Sequence, residues 1–308
     1  MNTNIDKTLL QNSIRVMNEF SNLPFEEQYV YALYNILKNG TVSKDRTGTG
    51  TKRIQSQKIT IDLNMGFPIL RGKKMNFKNA LVEMVWIMSG RNDLKFLKDN
   101  GVNYWDSWVK EDGTFGPIYG PQMRNFNGVD QLNNIINELI KNPDSRRLVV
   151  NLWNPADNDE MALTCCHHDY QLSSFIDVDG VRKLDLHVKQ RSADCFLGVP
   201  YDFMLFAIYL ELIGWFVGIQ PNKIHITMAD FHMYLNHEEQ VKQYIENYLT
   251  DNQKLITESN TPYSIFENFL QDYNNFDALL QSIIDNNFEK YKVLNYNPYP
   301  FIKAEVAV

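Results

Sequence analysis

The polar and apolar positions of the chain follow two different periods along its length. Segments with an apolar residue at every third or fourth position predict helices, and segments in which every second residue is apolar predict strands. The predicted helices lie at residues 24–40, 76–88, 132–140 and 203–219. The predicted strands lie at residues 58–63, 170–178, 181–190 and 223–228, with a further buried strand after a turn within 143–153.

The ends of some segments carry additional signals. Pro24 precedes an acidic first turn, and Gly40 follows the last residue of the first helix. Asp179 and Gly180 separate two alternating runs, which is typical of a β-hairpin. These signals strengthen the prediction of the first helix and of the hairpin.

Two predicted helices carry an acidic residue in an apolar setting. The helix at 76–88 is predicted to be amphipathic and to end at Ser89, and it carries Glu83, which is either a paired core residue or a catalytic carboxylate. The apolar run at 203–219 contains Glu211 and is too short for a membrane span, so a buried core helix is expected.

The two ends of the chain have a different character. Residues 1–22 predict a weakly helical extension without the features of a signal peptide, and residues 236–290 predict polar helices. The last residues form an apolar tail, which predicts that the tail docks on the domain. We expect a single domain over residues 23–308.

Composition narrows the class of protein. The net charge of −7 over 308 residues provides no basic excess for coating nucleic acid, although a few arginines suffice for a single nucleotide. Three cysteines form no disulfide framework, which favours a reducing cytoplasm. Neither nucleic acid nor a membrane is expected as a partner.

The segment at 161–202 contains the most informative chemistry. It contains Cys165, Cys166 and His167 in succession, and Arg191 follows in a Q-R-S-A-D motif. Consecutive residues do not easily converge on one ion, so no metal is expected. A cysteine whose thiolate is favoured by Arg191 and by Arg46 is the sharper hypothesis, and a pair of inert buried cysteines is the alternative.

Two further arginine-containing motifs leave their roles open. Residues 45–51 spell D-R-T-G-T-G-T, in which Arg46 and backbone N–H groups form either an anion site or a solvated hairpin tip. Arg146 and Arg147 are adjacent on a predicted strand, where neighbours point to opposite faces. They are therefore either a solvated pair or residues that reach the site of a second protomer.

Nine motifs carry a resemblance that covers residues 25–308. They are D-R-T-G-T-G-T, E-M-V-W-I-M-S-G, W-D-S-W, G-P-I-Y-G, P-D-S-R-R, L-x-x-C-H-x-x-x-Q, Q-R-S-A-D-x-x-L-G-x-P, H-M-Y-x-N-H and I-K-A-x-V-A-V. In this order and spacing the chain resembles the folate-dependent thymidylate synthases. The resemblance implies an α/β (α+β) fold around a mixed twisted sheet, a sheet-to-sheet homodimer in the cytoplasm, and 5,10-methylenetetrahydrofolate as co-substrate.

The resemblance also implies roles for individual residues. The implied catalytic residues are Cys166, Glu83, Tyr119, Asp202 and His167, with Cys166 attacking C6 of a pyrimidine nucleotide. The implied nucleotide-binding residues are Arg46, Arg146, Arg147, Gln171, Arg191, Ser192, Asp194, Asp202, His232 and Tyr234. The implied folate-binding residues are Lys73, Asn76, Trp105, Trp108, Asp194, Tyr201, Val306 and Ala307. Arg146 and Arg147 would come from the partner protomer, and Gln171 would help to order the base.

The chain departs from the family pattern at four positions. Thymidylate synthases normally carry Asn at Asp202, His at Asn76, Trp at Met123 and Pro at Cys165. Asp202 matters most, because a carboxylate accepts from the amino group of cytosine and shares a proton with its N3, whereas a carboxamide matches uracil. Phage-type deoxycytidylate hydroxymethylases carry Asp here. The alternative is that Asp202 caps a helix beginning at Phe203.

The expected activity is therefore one-carbon transfer to dCMP, with 5-hydroxymethyl-dCMP as the favoured product and host cytoplasm during phage infection as one setting. Methylation of dCMP remains open, as do methylation or hydroxymethylation of dUMP. A nucleotide-binding protein without activity on the same fold is the rival from another class, and the presence of Cys166 and Glu83 argues against it.

Overall fold

The computed structural model describes residues 23–255 and 273–307. The helices found there are α1 (Phe25–Asn39), α2 (Phe77–Met88), α3 (Leu94–Asp99), α4 (Tyr119–Arg124), α5 (Gln131–Lys141), α6 (Gly198–Val217), α7 (Glu238–Leu255) and α8 (Phe276–Asp285). The strands are β1 (Thr41–Ser43), β2 (Thr51–Ile54), β3 (Gln57–Asp62), β4 (Val149–Asn151), β5 (His167–Ile176), β6 (Arg182–Gln190), β7 (Ala193–Asp194), β8 (Gln220–Met228) and β9 (Phe231–Tyr234). The predicted mixture of helices and sheet is confirmed.

The larger sheet has five strands in the order β3-β8-β6-β5-β4. All neighbours are antiparallel except β6 and β8, which are parallel and are connected through α6. Along β6, buried Leu184, Leu186 and Val188 alternate with more exposed residues, as the period of two requires. The buried face packs against α6.

The smaller sheet has four strands in the order β1-β2-β9-β7. It is joined to the larger sheet where β6 continues towards β7 and β8 continues towards β9. The Ala229 N–H donates to the Gln190 carbonyl at 2.9 Å, and the Ala193 N–H donates to the Asp230 carbonyl at 2.8 Å. Both chain crossings therefore lie side by side, and the Arg191 N–H at the first of them donates to the Cys166 carbonyl at 2.9 Å.

The central helix α6 is confirmed as a core helix, but its predicted start is wrong. It begins at Gly198 rather than at Phe203, because the Asp194 carboxylate accepts from the Phe196 and Leu197 N–H groups at 3.0 and 3.4 Å and turns the chain into the helix earlier. Pro200 is tolerated because the N–H groups of a first turn have no helical partner. The helix is long and apolar enough to cross a membrane by length and composition, yet it is mostly buried inside the fold.

Three local predictions need correction. Helix α2 is buried on nearly all sides and not amphipathic, since it packs under α6 and α4. Strand β4 has only three residues and its middle residue alone is buried, because it is the edge strand. The hairpin loop is longer than two residues, with the Asp177 N–H donating to the Val181 carbonyl at 2.9 Å.

The other predicted boundaries are confirmed where the structure describes the residues concerned. The first helix has the predicted bounds between Pro24 and Gly40, and the predicted polar helices near the end include α7 and α8. In the tail, Ile302 is buried and the Glu305 carbonyl accepts from His237 at 2.8 Å, so this part is docked. The predicted extension at 1–22, residues 256–272 and Val308 lie outside the described residues.

Candidate active site

The Cys166 backbone lies at the junction of the two sheets, one residue before β5. Its N–H donates to the Tyr119 hydroxyl at 2.9 Å, and its carbonyl accepts from the Arg191 N–H at 2.9 Å. The Arg191 guanidinium donates at 2.8 Å to the carbonyls of Cys165 and Thr164, and its Nη2 lies 4.0 Å from the Cys166 sulfur. Tyr119 and Arg191 thus place the thiol between a phenol and a cation.

The thiol of Cys166 is not a stable thiolate in the substrate-free chain. Burial raises its pKa above the ordinary value, while Arg191 and the Tyr119 hydroxyl act in the opposite direction. Arg191 therefore favours the thiolate as predicted, but burial outweighs it.

Cys165 differs from its neighbour Cys166 in exposure and in the groups around its sulfur. It is fully buried against Met161, and burial raises its pKa to about 12. A thiol with such a pKa is inert at neutral pH. The alternative of two inert cysteines therefore fits Cys165 but not the partly exposed Cys166.

Glu83 is a buried carboxylate with two aromatic donors. The Trp105 indole N–H donates to Oε1 at 2.9 Å, and the Tyr104 hydroxyl donates to Oε2 at 2.5 Å. Burial raises the Glu83 pKa to about 7, while the two hydrogen bonds act against this rise. The paired-core alternative does not hold, because Glu83 has no ion-pair partner among the described residues. The catalytic alternative stays a prediction, and a carboxyl group with this pKa can exchange protons at neutral pH.

Asp202 receives a hydrogen bond on each carboxylate oxygen. His167 Nε2 lies 2.9 Å from Oδ1, and Gln190 Nε2 donates to Oδ2 at 2.7 Å. Since a carboxylate only accepts, His167 carries its proton on Nε2, and the Tyr170 hydroxyl then donates to Nδ1 at 2.7 Å. The helix-capping alternative is wrong, because Asp202 is the fifth residue of α6 and does not lie at the helix start.

The smaller sheet contributes the other side of the site. His232 and Tyr234 lie two residues apart on β9 with ring centroids 5.4 Å apart, so they share a face. The charges of Asp194, Arg46 and Cys166 all act on the pKa of Tyr234, which burial raises. His232 is therefore adjacent to Tyr234, and Tyr234 lies within electrostatic range of Asp194, Arg46 and Cys166.

The loop that carries Arg46 is held by Asp45. The Asp45 carboxylate accepts from the N–H groups of Thr47 and Gly50 at 3.0 and 2.7 Å, and it also accepts from the Thr47 hydroxyl. The glycines at 48 and 50 adopt positive φ angles, which a non-glycine residue rarely does. Arg46 itself is exposed, and Ser192 is half-buried directly after Arg191.

Three predicted nucleotide-binding residues do not reach this site within the chain. Arg146 and Arg147 are exposed and precede β4 instead of lying on it. The adjacent Leu148 carbonyl accepts from the N–H of Leu172, which is six strand residues, or roughly 20 Å, from Cys166. The prediction that Gln171 helps to order the base needs correction. Gln171 follows the buried Tyr170 on β5, so its side chain faces the opposite side of the sheet from the His167 network.

The predicted folate-binding residues fall into three groups. Trp105 and Trp108 pack against each other at 5.8 Å beside Glu83. Asn76 and Tyr201 line a cavity of about 710 Å³ together with Tyr296, Phe301 and several lysines, and Asn76 also caps α2. Flat aromatic walls with cationic groups fit a folate, which is a flat ring system bearing carboxylates.

The third group does not face this cavity directly. Lys73 is buried, and its ammonium donates to the Phe196 carbonyl at 2.5 Å. Burial lowers its pKa to about 8, and the nearby Asp194 acts in the opposite direction. Val306 and Ala307 belong to the docked tail, with Val306 44% exposed. Lys73 thus holds the turn before α6 instead of offering a surface charge.

Comparison with protein families shows the family to which the chain belongs. The family model for thymidylate synthase matches residues 27–308, which is most of the chain. The chain belongs to the thymidylate synthase family. It is accordingly a one-carbon transferase for a pyrimidine nucleotide, and the family uses methylenetetrahydrofolate as its co-substrate. Members of the thymidylate synthase family are soluble and cytoplasmic, which agrees with the burial of α6.

The structure adds three residues that sequence reasoning missed. Gln190 belongs to the Q-R-S-A-D motif, so its position beside Arg191 was an available signal. Tyr170 follows His167 by three residues, and only the local register irregularity in β5 brings its hydroxyl to the imidazole. Tyr104 precedes Trp105, and no sequence pattern indicates that both neighbours reach the same carboxylate.

Proposed function

We propose that this member of the thymidylate synthase family transfers the one-carbon unit to C5 of dCMP and releases 5-hydroxymethyl-dCMP. The observation that carries the choice of cytosine is the environment of Asp202. Both of its oxygens accept from protein donors, and its side chain is 13% exposed at the mouth of the His167 network. An acceptor that keeps free lone pairs suits the amino group of cytosine.

The donors around Asp202 also explain why this pocket favours an aspartate. His167 Nε2–H and Gln190 Nε2–H both point at residue 202, so an amide nitrogen there would face a donor. Gln190 Oε1 is buried without a hydrogen-bond partner among the described residues, so a flip of the Gln190 amide would accommodate an asparagine. The orientation of Gln190 is therefore matched to a carboxylate at this position.

The chemistry proposed for the nucleotide follows from these positions. The Cys166 thiol loses its proton and its sulfur bonds to C6, which makes C5 nucleophilic while a proton shared between Asp202 and N3 of cytosine takes up the developing charge. C5 then bonds to the one-carbon unit and loses its hydrogen. Glu83, with a pKa of about 7, both accepts and returns protons in this sequence.

Methylenetetrahydrofolate supplies the one-carbon unit when it is bound, and Trp105, Asn76 and Tyr201 are the residues proposed to hold it. After tetrahydrofolate leaves, the oxygen of water bonds to the exocyclic methylene, and the C6–sulfur bond breaks to restore the C5–C6 double bond. The proton of water returns to the Cys166 sulfur, and the hydroxymethyl product leaves without any redox change. Delivery of hydride would instead give the methyl product and dihydrofolate. Support for water comes from the likeness at Asp202 to the cytosine-acting branch, whose members hydroxymethylate.

Binding of the phosphate is proposed to involve both protomers of a homodimer. Arg191 and Arg46 lie on the Cys166 side of the chain, whereas Arg146 and Arg147 lie roughly 20 Å away along β5. That distance exceeds the reach of one arginine side chain. A sheet-to-sheet pair would bring the partner's two arginines to this phosphate.

Replacement of Asp202 tests the proposed substrate. Asp202→Asn should lower kcat/KM for dCMP and raise it for dUMP, because an asparagine amide matches the donors and acceptors of uracil and mismatches those of cytosine. The expected change in preference is about 10²-fold, on the order of one or two buried hydrogen bonds. The measurement is competition between the two nucleotides in one reaction, for wild type and variant, with mass spectrometry of both products.

Three outcomes of this experiment decide the proposal. A wild type that prefers dUMP would overturn the cytosine assignment, and an unchanged preference in the variant would remove Asp202 from recognition. Dihydrofolate formed in equal amount to the product would replace hydroxymethylation with methylation. Because Asn and Asp fill similar volumes, the variant should retain the stability of the wild type, and thermal unfolding serves as the control.

A further inference from the structure

The environment of Glu83 places its two oxygens in chemically different positions. Oε1 accepts from the Trp105 indole and Oε2 accepts from the Tyr104 hydroxyl. The indole nitrogen only donates, whereas a phenol hydroxyl both donates and accepts. A proton on Oε1 would weaken the Trp105 contact, because a protonated oxygen is a poorer acceptor and the indole cannot accept in return.

Oε2 is therefore the favoured site for the proton of Glu83. There it lies beside the Tyr104 oxygen, 2.5 Å from Oε2, and the hydroxyl can turn from donor to acceptor when the carboxyl group is protonated. On turning, the hydroxyl directs its own hydrogen away from Glu83. Tyr104 is partly exposed while Glu83 is buried, so Tyr104 is the more accessible of the two residues.

We propose that Tyr104 is a positioning residue through which protons enter and leave Glu83. In the outward direction, the Oε2–H bond breaks as the proton passes to the Tyr104 oxygen, and the Tyr104 hydrogen passes to water or to the reacting nucleotide. In the inward direction both transfers reverse. Each transfer is concerted, so Tyr104 ends every cycle as a neutral phenol and no other reactant is consumed.

The surroundings of Tyr104 agree with a relay that never ionises. Burial and the Glu83 carboxylate keep the Tyr104 pKa well above its ordinary value, so the phenolate is not accessible at neutral pH. Its ring packs against Tyr201 with centroids 5.4 Å apart, and the next residue, Trp105, is anchored in the aromatic core. The hydroxyl is thus held beside Oε2 while its hydrogen remains free to turn.

The inference rests on the proposed role of Glu83 and not on the proposed substrate. Tyr104→Phe removes only the hydroxyl, and Tyr209→Phe is the matched control, because the Tyr209 hydroxyl is buried without a hydrogen-bond partner among the described residues. Both variants are assayed by release of tritium from C5 of whichever nucleotide the wild type turns over. A wild type that turns over only dUMP would defeat the proposed substrate and leave this test intact.

Tyr104→Phe should lower kcat for tritium release by about 10- to 100-fold, within the range of general acid–base effects, while nucleotide Kd changes less than about twofold. Loss of a donor to the carboxylate should also move the Glu83 limb of the kcat–pH profile upward by about one pH unit. Tyr209→Phe should keep the kcat and the profile of the wild type. Equal losses in both variants, or a profile that does not move in Tyr104→Phe, would overturn the relay.

A spectroscopic measurement on the wild type tests the same coupling without relying on a folded variant. In the chain labelled with carbon-13 at Cζ of tyrosine, the Tyr104 signal should titrate together with the Glu83 carboxyl carbon near neutral pH, because its hydroxyl changes role as Glu83 gains a proton. The Tyr209 signal should stay constant. A Tyr104 signal that is constant through the Glu83 titration would refute the proposal.

Discussion

At the level of single residues, adjacent side chains in this protein have opposite properties. Cys165 is sealed beneath the surface and Cys166 is partly exposed beside Arg191, although the two are identical in chemistry. The motif around them predicts Cys166 as the nucleophile, and this assignment stays a prediction. The motif was not sufficient to predict that burial would raise the Cys166 pKa, because desolvation depends on how the folded chain packs around the thiol.

Replacing each cysteine in turn separates their roles. Cys166→Ser should lower kcat by at least about 10³-fold with little change in nucleotide Kd, since the proposed phosphate and sugar contacts come from other residues. Cys165→Ala should retain kcat within about threefold and cost about 1 kcal/mol of unfolding free energy, because it leaves a small void beside Met161. Steady-state kinetics and nucleotide titration check both results, and equal loss of turnover in the two variants would contradict the assignment.

At the level of elements, the sequence predicted the end of α6 but not its start. Gly218 adopts the left-handed conformation that ends helices, and this local signal is visible in the sequence. The start depends on Asp194, which lies four residues before Gly198 and bonds two backbone N–H groups. For the same reason Lys73 was assigned to folate, whereas its ammonium contacts the Phe196 carbonyl of this turn.

The buried ammonium of Lys73 makes the stability of this element depend on pH. Its folded pKa of about 8 lies below the unfolded value near 10.5, so between these values the unfolded chain binds more protons and stability rises with pH. Relative to Lys73→Met, the free energy of unfolding of the wild type should rise by about 1.5 kcal/mol between pH 8 and 9.5. Denaturant unfolding at both pH values measures the difference.

The exposed Lys58 on β3 provides the matched control for this prediction. The difference between wild type and Lys58→Met should not change over the same pH interval, and other titrating groups cancel because all three chains share them. If the difference for Lys73→Met stayed constant or fell with pH, Lys73 would not be the buried base described here.

At the level of the whole molecule, the five-stranded sheet is covered by α6 on one face and presents polar residues on the other. His187 and His225 stack there at 4.7 Å, and Ser173 contacts His187 at 3.2 Å. The alternation of side chains within the strands was predictable from the period of two, whereas the order of the strands was not. The relation of Arg146 and Arg147 to the site was not, because it depends on a proposed second protomer.

Mixing inactive variants tests whether the arginines act across protomers. Cys166→Ser and the double variant Arg146→Ala, Arg147→Ala should each be nearly inactive alone. In a mixed dimer, one site would combine an intact Cys166 with an intact arginine pair. After equal amounts are unfolded and refolded together, about a quarter of wild-type activity should return, since half the dimers are mixed and each has one complete site. Activity no greater than the sum of the two separate variants would place the arginines elsewhere.

The parallel pairing of β6 with β8 has a consequence for how the protein folds. The two strands are joined through residues 191–219, so they pair only after α6 has crossed over the sheet, and such non-local closure is slow. Arg191 and Asp202 both lie on that crossover, while Cys166 lies before it. A chain still being synthesised therefore carries Cys166 before Arg191 and Asp202, whose charges act on the thiol in the folded protein. During that interval the thiol is an ordinary exposed cysteine, open to oxidation, and the nascent chain depends on a reducing environment until the crossover closes.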